Sequence, residues 1–126
     1  MKILAYRALG AVVALPLILA TTSALADEFP DGVRTPAAAE VTTLMAGKTW
    51  IMSPRRGGNL QLEHAADGGM LAFVGGKSDT GTWRSEDGKV CYEFRVFTSA
   101  CNDVRLLGED VYFRRSSGEV VKMRLP

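Results

Sequence analysis

The chain has 126 residues, of which 15 are basic and 14 acidic, and it contains one histidine and two cysteines. This length predicts a single domain after a leader, and the near-neutral charge gives no electrostatic basis for binding nucleic acid or an anionic membrane surface. A single histidine argues against most metal sites and against most catalytic arrangements that depend on imidazole.

Residues 1–26 have the three-part pattern of a secretory signal peptide. Lys2 and Arg7 make the first segment positive, an apolar segment follows, and small residues precede a cleavage site between Ala26 and Asp27. The apolar segment is shorter than the roughly 20 residues that a membrane-spanning helix needs. The pattern predicts export to the periplasm, with secretion as an alternative, and a mature chain without a membrane anchor. Because two basic residues and no acidic ones leave with the leader, the mature chain keeps 13 basic and 14 acidic residues.

The mature chain begins with a polar segment, residues 27–34, which predicts an extended, mobile arm. A short helix is predicted within residues 35–47. Thr35 is expected to cap its start, Pro36 to occupy its first helical position and Gly47 to end it. The apolar side chains that share one face at helical spacing are Ala37, Val41, Leu44 and Met45.

From Lys48 onward, apolar and polar residues alternate, which is typical of strands. Two Asp-Gly turns, at residues 67–68 and 87–88, predict β-hairpins. The clearest strand has Cys91 on its outer face and four apolar side chains on its inner face: Val90, Tyr92, Phe94 and Val96. The predicted strands lie near residues 49–52, 59–64, 70–74, 81–84, 89–96, 104–107, 111–114 and 120–125.

Seven or eight short strands in sequential order predict a mostly β fold with one short N-terminal helix. Such a series forms an antiparallel meander that curls into a small barrel or folds into a sandwich. We therefore expect a single β-domain over residues 35–126.

Cys91 and Cys101 both remain in the mature chain. In an oxidising compartment such a pair usually forms a disulfide, and we predict one here. The closed loop is short, so the loop-entropy model gives a stabilisation of a little under ~3 kcal/mol. A metal site at these cysteines would need further ligands nearby.

The sequence predicts no catalytic residue, cofactor or metal ion. His64 ends an apolar face near a turn, which favours a structural role. An enzyme would depend on carboxylates that folding brings together, such as Glu63, Asp67 and Glu93. This carboxylate-dependent enzyme is the second alternative function.

The β region carries the large aromatic side chains Trp50, Trp83, Tyr92 and Phe94. In a small barrel such residues either fill the interior or line a ligand cavity, and the sequence leaves both open. The favoured function is a non-enzymatic binding or interaction domain of the cell envelope, with a protein or a small molecule as its partner.

Three short motifs follow the signal peptide and the helix: GKTW at residues 47–50, GTW at 81–83 and GKVCY at 88–92. Together they resemble a family of small periplasmic proteins of unknown function from rhizobia and related alphaproteobacteria. This resemblance implies a periplasmic β-domain without a known activity.

The passage from helix to first strand, residues 37–50, also resembles the periplasmic inhibitors of secreted metalloproteases. Those proteins are small β-barrels with one disulfide and a mobile N-terminal arm that enters the protease cleft. The resemblance implies that residues 27–34 are the working part, and it makes protease inhibition the first alternative function.

Overall fold

The computed structural model describes residues 10–16 and 27–126. Residues 10–16 contain no helix or strand, and the predicted cleavage site at Ala26 lies outside the described residues. Across these two ranges, no helix has the length and hydropathy that a membrane span requires. The elements are α1 (Ala38–Met45), β1 (Thr49–Met52), β2 (Leu60–His64), β3 (Gly69–Val74), β4 (Lys77–Glu86), β5 (Lys89–Phe94), β6 (Ala100–Leu107), β7 (Asp110–Arg114) and β8 (Val120–Met123).

The eight strands form one antiparallel sheet in which each strand pairs with its neighbours in sequence. The sheet curls until β1 meets β8, where Ile51 and Arg124 exchange two backbone hydrogen bonds of 2.8 and 3.0 Å. This contact makes the barrel nearly closed. The predicted mostly β meander with one short helix is therefore confirmed. The sequence predicted either a barrel or a sandwich, and the structure is a barrel.

Successive side chains of each strand point alternately into and out of the barrel. On β2, for example, Leu60, Leu62 and His64 are buried, whereas Gln61 and Glu63 are partly exposed. β4 and β6 are longer than predicted, because their additional residues are mostly polar and lack the alternation that reveals a half-buried strand. Pairing with β3 nevertheless extends β4 back to Lys77.

α1 begins at Ala38, three residues after the predicted cap. Its N-cap is Ala37, which has no capping side chain, and the backbone N–H of Ala38 donates instead to Asp87 Oδ1 at 2.9 Å. The prediction that Thr35 caps the helix is wrong, because a carboxylate in the β4–β5 turn supplies the acceptor that an N-terminal N–H needs. The helix start therefore depends on a residue distant in sequence.

α1 closes one end of the barrel, which we call the helix end. Val41 and Met45 are fully buried in the barrel core, and Trp50 Nε1 donates to the Leu44 carbonyl at 3.0 Å. In a meander, successive connections lie at alternate ends. The β2–β3, β4–β5 and β6–β7 turns therefore surround the helix end, and the other four connections surround the opposite end, which we call the mouth.

Residues 27–34 lie along the outside of β6, β7 and β8. Arg34 forms two backbone hydrogen bonds with Leu106, of 2.8 and 3.0 Å. The Phe29 ring lies beneath two guanidinium groups, with its centroid 5.3 Å from Arg105 Cζ and 4.5 Å from Arg114 Cζ. The arm that the sequence predicts to be mobile thus contacts the barrel along its length.

Candidate functional site: the mouth of the barrel

A cavity of about 370 Å³ opens at the mouth of the barrel, and we call it the cup. Inward-facing side chains of five strands form its apolar walls: Met52, Leu60, Leu62, Ala72, Phe94 and Phe113. α1 covers the helix end with its apolar face, whereas the mouth has no such cover and carries the cup. The barrel is thus neither solid throughout nor an open tube.

Tyr92 lies between the cup and the filled half of the barrel. Its hydroxyl is 2.7 Å from His64 Nε2, and His64 Nδ1 is 3.1 Å from the Lys48 carbonyl oxygen. A carbonyl oxygen can only accept, so Nδ1 carries the proton of a neutral imidazole and Nε2 accepts from the Tyr92 hydroxyl. Both nitrogens of the buried ring are therefore engaged, in agreement with a structural role.

Burial dominates the protonation of this pair. It lowers the pKa of His64, and the hydrogen bonds with the backbone of Lys48 and Leu62 offset only part of the effect. Burial also raises the pKa of Tyr92 far above that of a free phenol. Both groups are consequently neutral near pH 7 and present no charge beneath the cup.

The four predicted aromatics separate into two groups. Trp50 and Trp83 fill the helix end, where Trp83 Nε1 donates to the Ala65 carbonyl at 2.8 Å. Tyr92 and Phe94 line the cup, with their rings stacked at a centroid distance of 5.8 Å. Trp50 and Trp83 thus belong to the core, whereas Tyr92 and Phe94 also border the cup.

Asp79 shapes the loop that forms one side of the mouth. Its carboxylate is buried, and Oδ2 accepts the backbone N–H groups of Val96 and Phe97 at 2.7 and 2.8 Å. Burial alone would raise the pKa of Asp79, but the backbone N–H donors outweigh it and the pKa lies below its ordinary value. The loop is thereby bent so that Phe97 packs on Phe94, with ring centroids 5.8 Å apart.

The same bend overturns one prediction about β5. Val96 was expected on the inner face, but β5 ends at Phe94 and the Val96 side chain is 84% exposed. The alternation stops because the backbone turns toward Asp79, and Phe97 takes the inward place instead. Residue 97 therefore lines the cup, although the sequence pattern did not indicate it.

One side of the cup is polar. It is formed by Asn102 and by three residues of the β7–β8 connection: Arg115, Ser116 and Ser117. Asn102 Nδ2 donates one hydrogen to the Arg114 carbonyl at 3.1 Å, which fixes the orientation of the amide and leaves its second N–H available. The cup thus combines apolar walls with one edge that can donate hydrogen bonds.

A second depression of about 560 Å³ adjoins this polar edge, and we call it the basic groove. Arg55 pairs with Asp27 at 2.7 Å and with Glu119 at 3.5 Å, and Arg115 pairs with Glu119 at 3.0 Å. A hydrogen bond from the Arg55 backbone N–H is the largest influence holding the pKa of Glu119 below its usual value. The remaining residues of the groove are Arg56, Ser117 and Gly118.

The predicted Cys91–Cys101 disulfide is present and joins directly opposed residues of β5 and β6. Cys91 faces outward as expected but is only 4% exposed. Glu86 Oε2 lies 2.9 Å from Cys91 Sγ and 3.9 Å from Cys101 Sγ. Because both sulfurs belong to the disulfide, neither offers the thiolate that a metal site at this cluster would need.

The carboxylates proposed for an enzyme are not gathered in one pocket. Glu63 and Asp67 line a shallow depression at the helix end, beside His64. Glu93 lies outside this depression, on an exposed position of β5. The arrangement does not bring the three side chains together as acid–base catalysis by carboxylates would require.

No protein-family model, curated protein or solved structure matches this chain. The geometry of the cup and of its rim is therefore what bears on function.

Proposed function

We propose that the protein is a non-enzymatic binding domain whose cup holds a small, mainly apolar molecule. The observation that carries this proposal is the open depression of about 370 Å³ at the mouth of the barrel, walled mainly by aliphatic and aromatic side chains. Small-molecule sites typically have volumes of roughly 300–1,000 Å³ and apolar linings with few polar groups. The cup matches both properties.

The parts around the cup are arranged before any ligand arrives. Asp79 fixes the loop that carries Phe97, the disulfide joins the two strands that flank this loop, and α1 fills the opposite end. A ligand therefore orders few side chains when it binds. Burial of its apolar surface contributes about 25 cal/mol per Å², and little of this gain is offset by ordering the protein.

We further propose that the domain works in the periplasm after export. The tripartite pattern of residues 1–26 supports export, and the Cys91–Cys101 disulfide is compatible with an oxidising compartment.

Protease inhibition by arm insertion would require residues 27–34 to leave the barrel. This release would break the Arg34–Leu106 backbone hydrogen bonds and the Asp27–Arg55 ion pair. It would also expose the Phe29 ring, which lies against two arginines. The contacts of the arm support binding in the cup over inhibition by the arm.

Filling the cup is expected to abolish binding. Ala72 is buried in the cup wall, so the larger side chain of Ala72→Leu projects into the space a ligand would occupy. With 1-decanol as an uncharged probe, we expect micromolar to millimolar binding to the wild type and at least a tenfold loss in the variant. Titration followed by ¹H–¹⁵N NMR measures this, with shifts expected around residues 94–100.

The matched control is Ala66→Leu, which makes the same substitution at an exposed position in the β2–β3 turn. It should bind 1-decanol as the wild type does. Thermal unfolding of both variants checks that they remain folded. Equal binding by all three proteins, or shifts confined to the helix end, would contradict the proposal.

A further inference from the structure

We propose that the ligand is a free, single-chain anionic amphiphile, whose apolar chain occupies the cup and whose anionic head lies in the basic groove. This inference rests on the proposed function and adds the chemistry of the head group. Three observations carry it: the adjacency of the two depressions, the charge of the groove, and the position of the polar edge of the cup.

The cup and the basic groove are adjacent. Arg115 and Ser117 line both of them, so these two residues mark the boundary between the apolar cavity and the charged depression. A molecule that enters the cup at the polar edge would leave its outer end beside these two residues. The junction therefore suits a ligand with one apolar and one polar end.

The basic groove has an excess of positive charge. Its three guanidinium groups, of Arg55, Arg56 and Arg115, face the two carboxylates of Asp27 and Glu119. Arg55 and Arg115 pair with these carboxylates, whereas Arg56 forms no ion pair with any residue that the structure describes. The groove therefore keeps an excess of positive charge that favours an anionic head, and a guanidinium suits a carboxylate because it donates two parallel hydrogen bonds.

The polar edge of the cup directs the head group toward this groove. Asn102 has one N–H free of its bond to the Arg114 carbonyl, and Ser116 and Ser117 carry hydroxyls at the same edge. Apart from the Thr98 hydroxyl in the β5–β6 loop, the remaining walls are formed by aliphatic and aromatic side chains. An amphiphile with its head at the Asn102 edge would place its chain against Phe94 and Phe113.

The size of the cup favours a single chain. Its volume of about 370 Å³ lies near the lower limit of small-molecule sites, which leaves little room for the two acyl chains of a membrane phospholipid. We therefore assign the ligand to a free amphiphile in solution rather than to a lipid within a bilayer.

Decanoate and 1-decanol, which share the same chain length, test the head group by calorimetric titration at pH 8. Wild type should bind decanoate more tightly, and added salt should weaken only decanoate binding. Arg56 is exposed, so Arg56→Gln is expected to weaken decanoate binding roughly three- to fivefold and Arg56→Glu more strongly, with decanol unchanged. Arg84→Gln, which removes the same charge near the helix end, should leave both affinities unchanged.

The outcomes separate this inference from the proposed function. If decanol binds but Arg56→Gln weakens the affinity for neither ligand, or for both equally, the assignment of an anionic head group is wrong and the proposed binding in the cup stands. If neither ligand binds, the proposed function fails. If vesicles of anionic phospholipid bind the protein and decanoate does not, the free amphiphile is wrong.

Discussion

Replacing both cysteines, as Cys91→Ala/Cys101→Ala, is expected to lower the free energy of unfolding by a little under ~3 kcal/mol. The disulfide closes a loop between residues separated by 10 positions, and in the loop-entropy model its removal restores freedom mainly to the unfolded chain. Such a loss is large beside the roughly 5–15 kcal/mol that stabilises a typical domain. Alanine avoids placing a hydroxyl at the buried position 91.

The position of the disulfide predicts a second effect of the same variant. β5 and β6 pair only from Lys89–Asp103 to Tyr92–Ala100, and the next residues form the loop at the mouth. Without the covalent link, this short pairing and the Asp79 hydrogen bonds hold Phe97 and its neighbours at the cup. We expect binding of 1-decanol to weaken together with stability.

Urea unfolding of the wild type, the double variant and wild type reduced with dithiothreitol measures the stability effect. The reduced wild type is the control, because it keeps both side chains and loses only the bond. An unchanged urea midpoint in both the double variant and the reduced wild type would contradict a stabilising role for the disulfide.

Acidification from pH 7 to pH 5 is expected to destabilise the protein through His64. The pKa of His64 is lowered in the folded state, so below about pH 6.5 the unfolded chain binds a proton that the folded protein does not. Stability is therefore full above the unfolded pKa and falls as the pH drops toward the folded pKa, by up to about 1.4 kcal/mol per pH unit. The chain has one histidine, which assigns this pH range to a single residue.

Two variants distinguish loss of the Tyr92–His64 hydrogen bond from protonation of His64. Tyr92→Phe leaves the buried Nε2 without a donor and is expected to cost about 1–3 kcal/mol at pH 7. His64→Leu/Tyr92→Phe removes the titrating imidazole together with its hydrogen-bond donor. The difference in free energy of unfolding between the wild type and this variant should therefore be smaller at pH 5 than at pH 7. Carboxylates with lowered pKa, such as Asp79 and Glu119, titrate at lower pH and are common to all three proteins.

Denaturant unfolding of the three proteins between pH 5 and pH 8 tests this account. The wild-type free energy of unfolding should fall across the range, and that of the double variant should stay nearly flat between pH 7 and pH 5. Parallel pH curves for the two proteins would show that His64 is not the group responsible.

Local patterns were sufficient to predict the antiparallel meander, but not to choose the barrel over the sandwich. Alternation on β2 and β5 and two Asp-Gly turns indicated antiparallel hairpins, since a half-buried strand shows its period directly in the sequence. Cys91 and Cys101 could be paired because only two cysteines exist. These inferences needed no knowledge of contacts between distant residues.

The cup could not be predicted, because it depends on such contacts. Asp79 accepts hydrogen bonds from Val96 and Phe97, 17 and 18 residues away, and so ends the alternation of β5 before the predicted end at Val96. Asp87 caps α1 from 49 residues away. One feature of the sequence could have indicated this contact. Asp79 lies two and four residues before positions 81 and 83, so it shares their inward face of the strand. A carboxylate at an inward position requires a specific hydrogen-bond partner.

The most direct test of binding in the cup is to locate the alkyl chain of a bound ligand. Intermolecular nuclear Overhauser effects between 1-decanol and the ¹³C-labelled protein locate the ligand methylenes relative to assigned side chains. The cup predicts contacts from the chain to Phe94, Phe113 and Leu60 at the mouth, and none to Trp50 at the helix end. Contacts only to exposed side chains outside the barrel, or none at saturating ligand, would contradict it.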